Sequence, residues 1–275
     1  MDKTVVLITG CSSGIGLRLA VHLASDPSKT FKVYATMRNL AKKRRLMDCV
    51  KDVHPDTMDI LQMDVTDQLS VLNAKEKIEE KRVDILVCNA GVGLMGPLEA
   101  QSYETMTRIF DVNLFGTIRS IQAFLPGMKA RRSGRILVTG SLGGLQGLPF
   151  NEVYCASKFA VEGVCESLAI LLQQFNVQIA HLTTVFLCGA GEKDVSELPL
   201  SAITLIYYYN DAAQDTADIV KVFLDVIRAD SPALRYYTST ALMPLSTLKL
   251  ALQDGSQYVR TMSKIIFSAN QTEDA

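Results

Sequence analysis

The sequence predicts an α/β protein, a doubly wound parallel sheet in a single three-layer domain. Short runs of β-branched and aliphatic residues alternate with longer segments in which apolar residues recur at helical spacing. The strand-like runs, such as Ile85–Cys88, are almost continuously apolar, which is typical of strands that helices cover on both faces. A glycine-rich turn also follows the first run, where open parallel sheets bind ligands.

The alternation can be followed along the chain. The predicted strands span Val5–Thr9, Phe31–Met37, Ile60–Met63, Val83–Cys88, Arg135–Gly140 and a segment from Val177 onward. The predicted helices span Leu17–Ala24, Asn39–Val50, Gln68–Glu80, 103–131 and Val153–Gln174. Right-handed crossovers between successive strands would place helices on both sides of one sheet. The polar tail from Ala269 is expected to be frayed.

Composition argues against several function classes. The 275 residues carry a formal net charge of -1, so no basic surface for nucleic acid is expected. No apolar run reaches the roughly 18 residues of a membrane-spanning helix, and no signal-peptide cleavage pattern follows Val5–Ile8. The six cysteines form no C-x-x-C pair, which predicts reduced structural thiols and a cytoplasmic location. The three histidines have no metal-ligand spacing, so no metal is expected.

The segment Thr9–Gly16 is the candidate cofactor cradle. Its glycines would let backbone N–H groups approach a pyrophosphate, and the helix that follows would present its positive dipole end. The residues expected to bind the cofactor here are Gly10, Ser12, Ser13, Gly14, Ile15 and Gly16. A glycine-rich loop without a ligand is the alternative interpretation.

The end of the second strand selects between the two nicotinamide dinucleotides. An acidic residue there would bond the ribose 2′-hydroxyl of NAD, but the chain reads Ala35-Thr36-Met37-Arg38-Asn39. Arg38 can pair with the 2′-phosphate of NADP, and Ser12 can add a hydroxyl donor. We therefore predict NADP(H) as the cofactor. The basic run 42–45 also raises the local potential, although a solvated helix face explains it more simply.

Tyr154 and Lys158 are the candidate proton-transfer pair, because residues four apart share one helix face. A free phenol has a pKa near ~10, and an ammonium ~4 Å away contributes up to about 4 kcal/mol at an effective dielectric constant of 20. Such a neighbour would lower the phenol pKa, so Tyr154 can act as a general acid in ketone reduction or a base in alcohol oxidation. Ser141, at the end of the fifth strand, can hydrogen-bond the reacting oxygen. The Y-x-x-x-K pattern alone is common by chance.

Together these motifs resemble the short-chain dehydrogenase/reductase family over about residues 3–176. Further similar motifs are Asp64-Val65, Asn89-Ala90-Gly91 and Asp111-Val112-Asn113. The resemblance implies a Rossmann fold with additional cofactor contacts from Asp64, Val65, Asn89, Ala90, Gly91 and Lys158. It also implies a catalytic relay in which Asn113 holds a water that joins the lysine to solvent. The four members of that relay are Asn113, Ser141, Tyr154 and Lys158.

Within the family, the chain is most similar to members that act on steroids at the 17-position, and next to the retinol dehydrogenases. This implies NADPH-dependent interconversion of a 17-ketosteroid and a 17β-hydroxysteroid, with retinol dehydrogenation as the alternative. The expected substrate contacts are Ser141, Leu148, Asn151 and Tyr154, and neighbouring apolar residues suit a flat ligand. A segment at about 190–268 is expected to cover the substrate. The resemblance also implies a homodimer formed through the helices at 103–131 and 153–174.

The chain departs from the family pattern after the sixth strand. The stretch Thr183–Glu192 lacks the Pro-Gly that precedes a nicotinamide-contacting threonine in the family. The run Glu197–Asp211 does not resemble the usual substrate loop. Hydride transfer tolerates little misplacement, since ~1 Å can cost about a hundredfold in rate. A further alternative is therefore a pseudoenzyme that binds the cofactor, has impaired turnover, and regulates or merely binds a steroid.

Overall fold

In the part of the chain that the structure describes, a parallel sheet of seven strands forms the centre, in the order β3-β2-β1-β4-β5-β6-β7. The computed structural model describes residues 2–50, 56–185, 214–239, 243–249, 251 and 254–267. The strands are β1 Thr4–Ile8, β2 Phe31–Met37, β3 Met58–Gln62, β4 Ile85–Cys88, β5 Gly134–Thr139, β6 Val177–Thr183 and β7 Arg235–Tyr237. The six strands predicted from the sequence are confirmed to within two residues at their ends, and β7 adds a short edge strand.

Helices fill the connections between the strands. They are α1 Gly14–Ala24, α2 Arg44–Cys49, α3 Gln68–Glu76, α4 Tyr103–Phe110, α5 Gly116–Arg131, α6 Glu152–Leu172, α7 Thr216–Arg228, α8 Met243–Leu248 and α9 Ser256–Phe267. The prediction of one uninterrupted helix over 103–131 is wrong in detail, because a π-helical turn at Asp111–Phe115 separates α4 from α5. The helix predicted to end at Glu80 ends at Glu76. The backbone N–H groups of Lys77 and Ile78 then donate to carbonyls three residues back, and Ile78 is buried in the core.

Two apolar cores lie on opposite faces of the sheet. In β1, Val6 and Ile8 pack in the core formed with α1, α2 and α7, whereas Val5 and Leu7 pack in the core formed with α3, α5 and α6. All four side chains are fully buried, because alternate residues of a strand point to opposite faces. This arrangement confirms the three-layer sandwich.

The order of the strands reverses at β1, which pairs with β2 on one side and β4 on the other. Connections therefore leave the carboxyl ends of β1 and β4 in opposite directions, and a crevice opens between them. The glycine-rich turn follows β1 at this crevice. The fold thus places the predicted cradle at the position where parallel α/β sheets bind ligands.

Several sequence expectations concern residues 186–213 and the tail from Ala269, which lie outside the described residues. In the described part of the chain, no helix is long and apolar enough to cross a membrane. The same residues contain no group of three or more His, Cys, Asp or Glu side chains that could hold a metal ion. Free thiols are present at Cys11, Cys49, Cys88, Cys155 and Cys165.

Candidate active site

A cavity of about 630 Å³ opens at the carboxyl ends of the central strands. Most of the residues predicted from the sequence to form the site line this cavity. They are Gly10, Ser12, Ser13, Gly14, Ile15, Arg38, Asp64, Val65, Asn89, Ala90, Gly91, Tyr154 and Lys158. The predicted residues outside its lining are Gly16, Asn113, Ser141, Leu148 and Asn151. The structure therefore brings the cofactor motifs and the Tyr154–Lys158 pair together in one cavity.

The glycine turn has the backbone shape that an anion cradle requires. Gly10 has φ +75° and Gly14 has φ +60°, which side chains rarely permit. A Cβ on Gly10 would lie 2.9 Å from Cα of Ala90. Helix α1 begins at Gly14, and among the described residues its N-cap Ser13 forms no side-chain capping hydrogen bond. A helix N-terminus of this kind favours a phosphate group.

The segment after β4 is tied to the cradle by hydrogen bonds. The Thr9 hydroxyl accepts from the backbone N–H of Asn89 at 2.9 Å and of Ala90 at 2.8 Å. The Asn89 amide in turn donates to the Thr9 carbonyl at 2.9 Å and accepts from the Thr139 hydroxyl at 3.3 Å. Asn89 therefore braces three neighbouring strands while it lines the cavity.

Gly16 supports the cradle from below. A Cβ at this position would lie 2.4 Å from Nδ2 of Asn89 and 2.6 Å from the carbonyl oxygen of Gly10.

We expect Gly16→Ala to lower the free energy of unfolding by about 1–3 kcal/mol, because the backbone of the cradle must move. Thermal unfolding and dinucleotide titration would detect the change. The matched control is Gly163→Ala, at an exposed position of helix α6 where an added Cβ would meet no atom within 4 Å. This variant should be neutral or stabilising by up to about 1 kcal/mol. Equal stability of the two variants would contradict this account.

Two arginines mark the end of the cavity near β2. Arg38 follows the strand and is exposed, and Arg45 in α2 also lines the cavity. Arg45 is itself exposed, so the interpretation of the run 42–45 as a solvated helix face remains a prediction, while Arg45 is also available to a ligand in the cavity. Arg45 lies in the first turn of α2, directly after the helical turn at Leu40–Lys43, and four successive basic residues give no periodicity from which its place at the cavity could be predicted.

Asp64 is held at the cavity wall by a local turn after β3. One oxygen of its carboxylate accepts from the backbone N–H of Thr66 at 3.0 Å and from the Thr66 hydroxyl at 2.7 Å. The next residue, Val65, packs tightly against Gly116, since a Cβ added to Gly116 would lie 2.7 Å from Cγ2 of Val65. These contacts fix the Asp64-Val65 pair beside the cradle.

Tyr154 and Lys158 lie one turn apart on α6, and both line the cavity. The predicted common helix face is confirmed by this arrangement. Nζ of Lys158 donates to the carbonyl oxygen of Thr139 at 3.0 Å and lies 5.9 Å from the centre of the Tyr154 ring. The ammonium is therefore anchored at the end of β5, close to the phenol.

Ser141 is buried, and its hydroxyl is hydrogen-bonded to a glycine that packs against Tyr154. Its hydroxyl accepts from the backbone N–H of Gly143 at 3.1 Å. A Cβ on Gly143 would lie 3.5 Å from Cε1 of Tyr154, so the tyrosine ring packs over this glycine. The backbone N–H of Leu142 donates to the carbonyl of Thr184 at 3.0 Å, which joins this corner to the end of β6. Gly143 thus joins Ser141 and Tyr154 as a common neighbour.

Asn113 occupies the π-helical turn, and its side chain is engaged by protein groups. Its oxygen accepts from the backbone N–H of Val92 at 2.8 Å. Its nitrogen donates to the Val92 carbonyl and to the Ser157 hydroxyl, each at 3.0 Å. Asn113 therefore ties the segment after β4 to α6, a structural role that the sequence did not reveal. Its predicted contact with water remains a prediction.

An apolar cluster lies next to Tyr154 on the side predicted to bind substrate. Its buried members are Leu142, Leu148, Cys155 and Met262. The backbone N–H of Leu148 donates to Sγ of Cys155 at 3.3 Å, and burial raises the pKa of this thiol to about 11. Asn151 is also buried, and its amide donates to the Pro149 carbonyl at 3.3 Å. Asn151 thus braces the loop before α6.

Two residues of the C-terminal part of the chain contact the loop between β5 and α6. Nζ of Lys249 donates to the Leu145 carbonyl at 3.0 Å and lies 4.2 Å above the ring of Phe159. The Tyr258 hydroxyl donates to the carbonyl of Gly147. These contacts anchor the C-terminal segment against residues 145–147.

Comparison with known proteins gives the family. Residues 4–192 match the short chain dehydrogenase family. Human 17-beta-hydroxysteroid dehydrogenase type 1 is 48% identical over 97% of this chain and 87% of its own length. Human retinol dehydrogenase 8 is 43% identical over 95% of this chain and 90% of its own length. The structure of a short-chain dehydrogenase from Streptomyces avermitilis shares the fold with a TM-score of 0.76 and 23% identity, covering 95% of this chain and 98% of that one. The chain is therefore an oxidoreductase of the short-chain dehydrogenase family.

Proposed function

We propose that this chain is an NADP(H)-dependent oxidoreductase that interconverts a 17-ketosteroid and a 17β-hydroxysteroid, such as estrone and estradiol. The observation that carries the substrate class is the 48% identity with the human 17-beta-hydroxysteroid dehydrogenase over 97% of the chain. The apolar cluster around Leu148 and Met262, next to Tyr154, supports a flat hydrophobic substrate.

The cavity supports the binding of a nicotinamide dinucleotide. The turn with Gly10 and Gly14 at the N-terminus of α1 would hold the pyrophosphate. Arg38 and Arg45, with Ser12, would hold the 2′-phosphate of NADP(H), since all three line the cavity and two are cationic. The contacts proposed for the rest of the cofactor are Ser13, Ile15, Gly16, Asp64, Val65, Asn89, Ala90, Gly91 and Lys158. When bound, the reduced cofactor supplies the hydride.

Tyr154 is proposed as the general acid of carbonyl reduction. Its hydroxyl would donate a proton to the substrate oxygen and take one back in alcohol oxidation. The Lys158 ammonium, held by the Thr139 carbonyl, would favour the negative charge that develops on the phenolic oxygen. The Ser141 hydroxyl would hydrogen-bond the same substrate oxygen. Asn113, which ties Val92 to α6, would complete the relay by holding a water that joins Lys158 to solvent.

The described C-terminal residues suggest how the substrate is covered. We propose that the segment at about 190–268 closes over the steroid, with Lys249 and Tyr258 holding residues 145–147 in place. We also propose a homodimer formed through the helices that the family pairs. Exposed apolar side chains on the outer faces of these helices support this assembly, with Ile170 71% exposed, Leu171 63% and Phe115 49%.

Turnover with two substrates tests the proposal. We expect the protein with NADPH to reduce estrone to estradiol at least about tenfold more efficiently in kcat/KM than it reduces all-trans-retinal, a difference of about 1.4 kcal/mol in transition-state binding. Product analysis by chromatography and NADPH absorbance would measure both. The reverse preference would favour a retinol dehydrogenase, a function that the 43% identity to human retinol dehydrogenase 8 supports. NADPH binding without turnover of either substrate would favour the pseudoenzyme.

A further inference from the structure

A buried histidine lies between the strand that leads to Ser141 and the helix that carries Tyr154 and Lys158. His181 is in β6, next to Val138 of β5 and Arg235 of β7, and it is fully buried. Its Nδ1 lies 2.6 Å from a carboxylate oxygen of Glu162 in α6. The imidazole therefore points from the sheet towards the catalytic helix.

The same ring also lies against the backbone of Gly140, the residue before Ser141. A Cβ at residue 140 would lie 2.0 Å from Cε1 and 2.3 Å from Nε2 of His181, so no side chain fits there beside the imidazole. Gly140 is also fixed to β6, because its N–H donates to the Leu182 carbonyl at 2.8 Å and its carbonyl accepts from the Thr184 hydroxyl at 3.0 Å. The end of β5 is thus held by β6 along the sheet and by the imidazole across it.

Glu162 anchors the ring to the catalytic helix. It follows Lys158 by one turn on the same face of α6, is only 6% exposed, and also pairs with Arg235. Arg235 pairs in addition with Glu166, one further turn along α6. Burial alone would raise the pKa of Glu162, but the neighbouring His181 and Arg235 hold it below its usual range. The carboxylate is therefore compensated, and the cluster links α6 to β6 and β7 directly below the lysine.

We propose that His181 is a positioning residue, whose ring sets the separation between the Ser141 end of β5 and the Lys158 turn of α6. The ring contacts both Gly140 and Glu162. Gly140 precedes Ser141 in the sequence, and Glu162 lies one helical turn after Lys158. Nζ of Lys158 is itself fastened to β5 through the Thr139 carbonyl, so a change in this separation moves the lysine relative to the serine. The catalytic consequence rests on the proposed function, and a misplacement of ~1 Å can cost about a hundredfold in rate.

Single and double substitutions at residues 140 and 181 test whether the His181 ring positions the end of β5. Gly140→Ala drives a methyl group into the imidazole, and His181→Ala removes the imidazole. We expect each to lower kcat for estrone reduction about tenfold or more, with KM and the NADPH dissociation constant within about twofold of wild type. The double variant should exceed Gly140→Ala in both kcat and melting temperature, because the alanine methyl then has room. His22→Ala, at an exposed histidine of α1, is the control and should match wild type.

Each outcome decides the inference. Wild-type kcat in His181→Ala, or strictly additive losses in the double variant, would overturn it. If His181→Ala does not fold, His181→Gln replaces it, since glutamine keeps a donor for Glu162 without the rigid ring; a wild-type kcat there would equally overturn the inference. Wild-type protein that turns over neither estrone nor all-trans-retinal would overturn the proposed function instead. Melting temperatures alone then decide whether residues 140 and 181 are coupled. A double variant that melts above Gly140→Ala supports the contact between the ring and residue 140, and additive losses in melting temperature refute it.

Discussion

Replacing Tyr154 with Phe is expected to lower kcat for estrone reduction by at least about a hundredfold, because the change removes only the hydroxyl that we propose as the proton donor. The aromatic ring remains, so its packing beside Leu142 and Leu148 should be kept. We therefore expect the NADPH dissociation constant and the melting temperature to stay close to those of wild type. Steady-state kinetics, fluorescence titration with NADPH and thermal unfolding would separate these quantities.

The matched control for this substitution is Tyr103→Phe. Tyr103 is at the start of α4, is 81% exposed and does not line the 630 Å³ cavity. The same loss of a hydroxyl should leave kcat unchanged there. A Tyr154→Phe protein that retains the wild-type rate would show that another group transfers the proton.

Arg38→Asp is expected to invert the cofactor preference from NADPH to NADH. The variant would lose the proposed charge-assisted contact with the 2′-phosphate, worth about 1.5–3 kcal/mol or about 10- to 150-fold in NADPH affinity. It also gains a carboxylate at the end of β2, which can accept from the ribose 2′-hydroxyl of NADH. The ratio of kcat/KM for the two cofactors is the measurement.

Arg44→Asp provides the control for net charge. Its side chain is 92% exposed, stands next to Arg45, and does not line the cavity. The overall charge changes equally in the two variants, so a small shift in Arg44→Asp would measure the long-range effect alone. NADPH affinity in Arg38→Asp equal to that of wild type would refute the assignment of the 2′-phosphate site.

Most of the fold could be predicted because its signals are local. Apolar runs such as Phe31–Met37 and Val177–Thr183 coincide with buried strands, and their alternation with helices identifies a parallel sheet. Strand β7, Arg235–Tyr237, was missed because three residues are too few to show a period. The π-helical turn at Asp111–Phe115 was missed because it alters the hydrogen bonding of a helix without interrupting its apolar pattern.

The candidate site was predictable only where spacing along the chain carries the chemistry. The glycine turn and the Tyr154–Lys158 pair each lie within one short segment, so the sequence identifies them directly. Asn113 was placed by resemblance, but its tie to Val92 and Ser157 appears only when three segments meet. The contact of His181 with Glu162 and Gly140 likewise joins distant parts of the chain. A lone histidine in an apolar strand gives no signal of such a role.

The proposed reaction requires a proton donor and a carbonyl to meet in the cavity beside the cofactor. A crystal structure of the protein with NADP⁺ and estradiol tests this most directly. We predict the nicotinamide within the cavity and the 17-hydroxyl oxygen within roughly 2.6–3.2 Å of both Oη of Tyr154 and Oγ of Ser141. A steroid bound with its 17-position away from Tyr154, or a cofactor bound outside the cavity, would contradict the account.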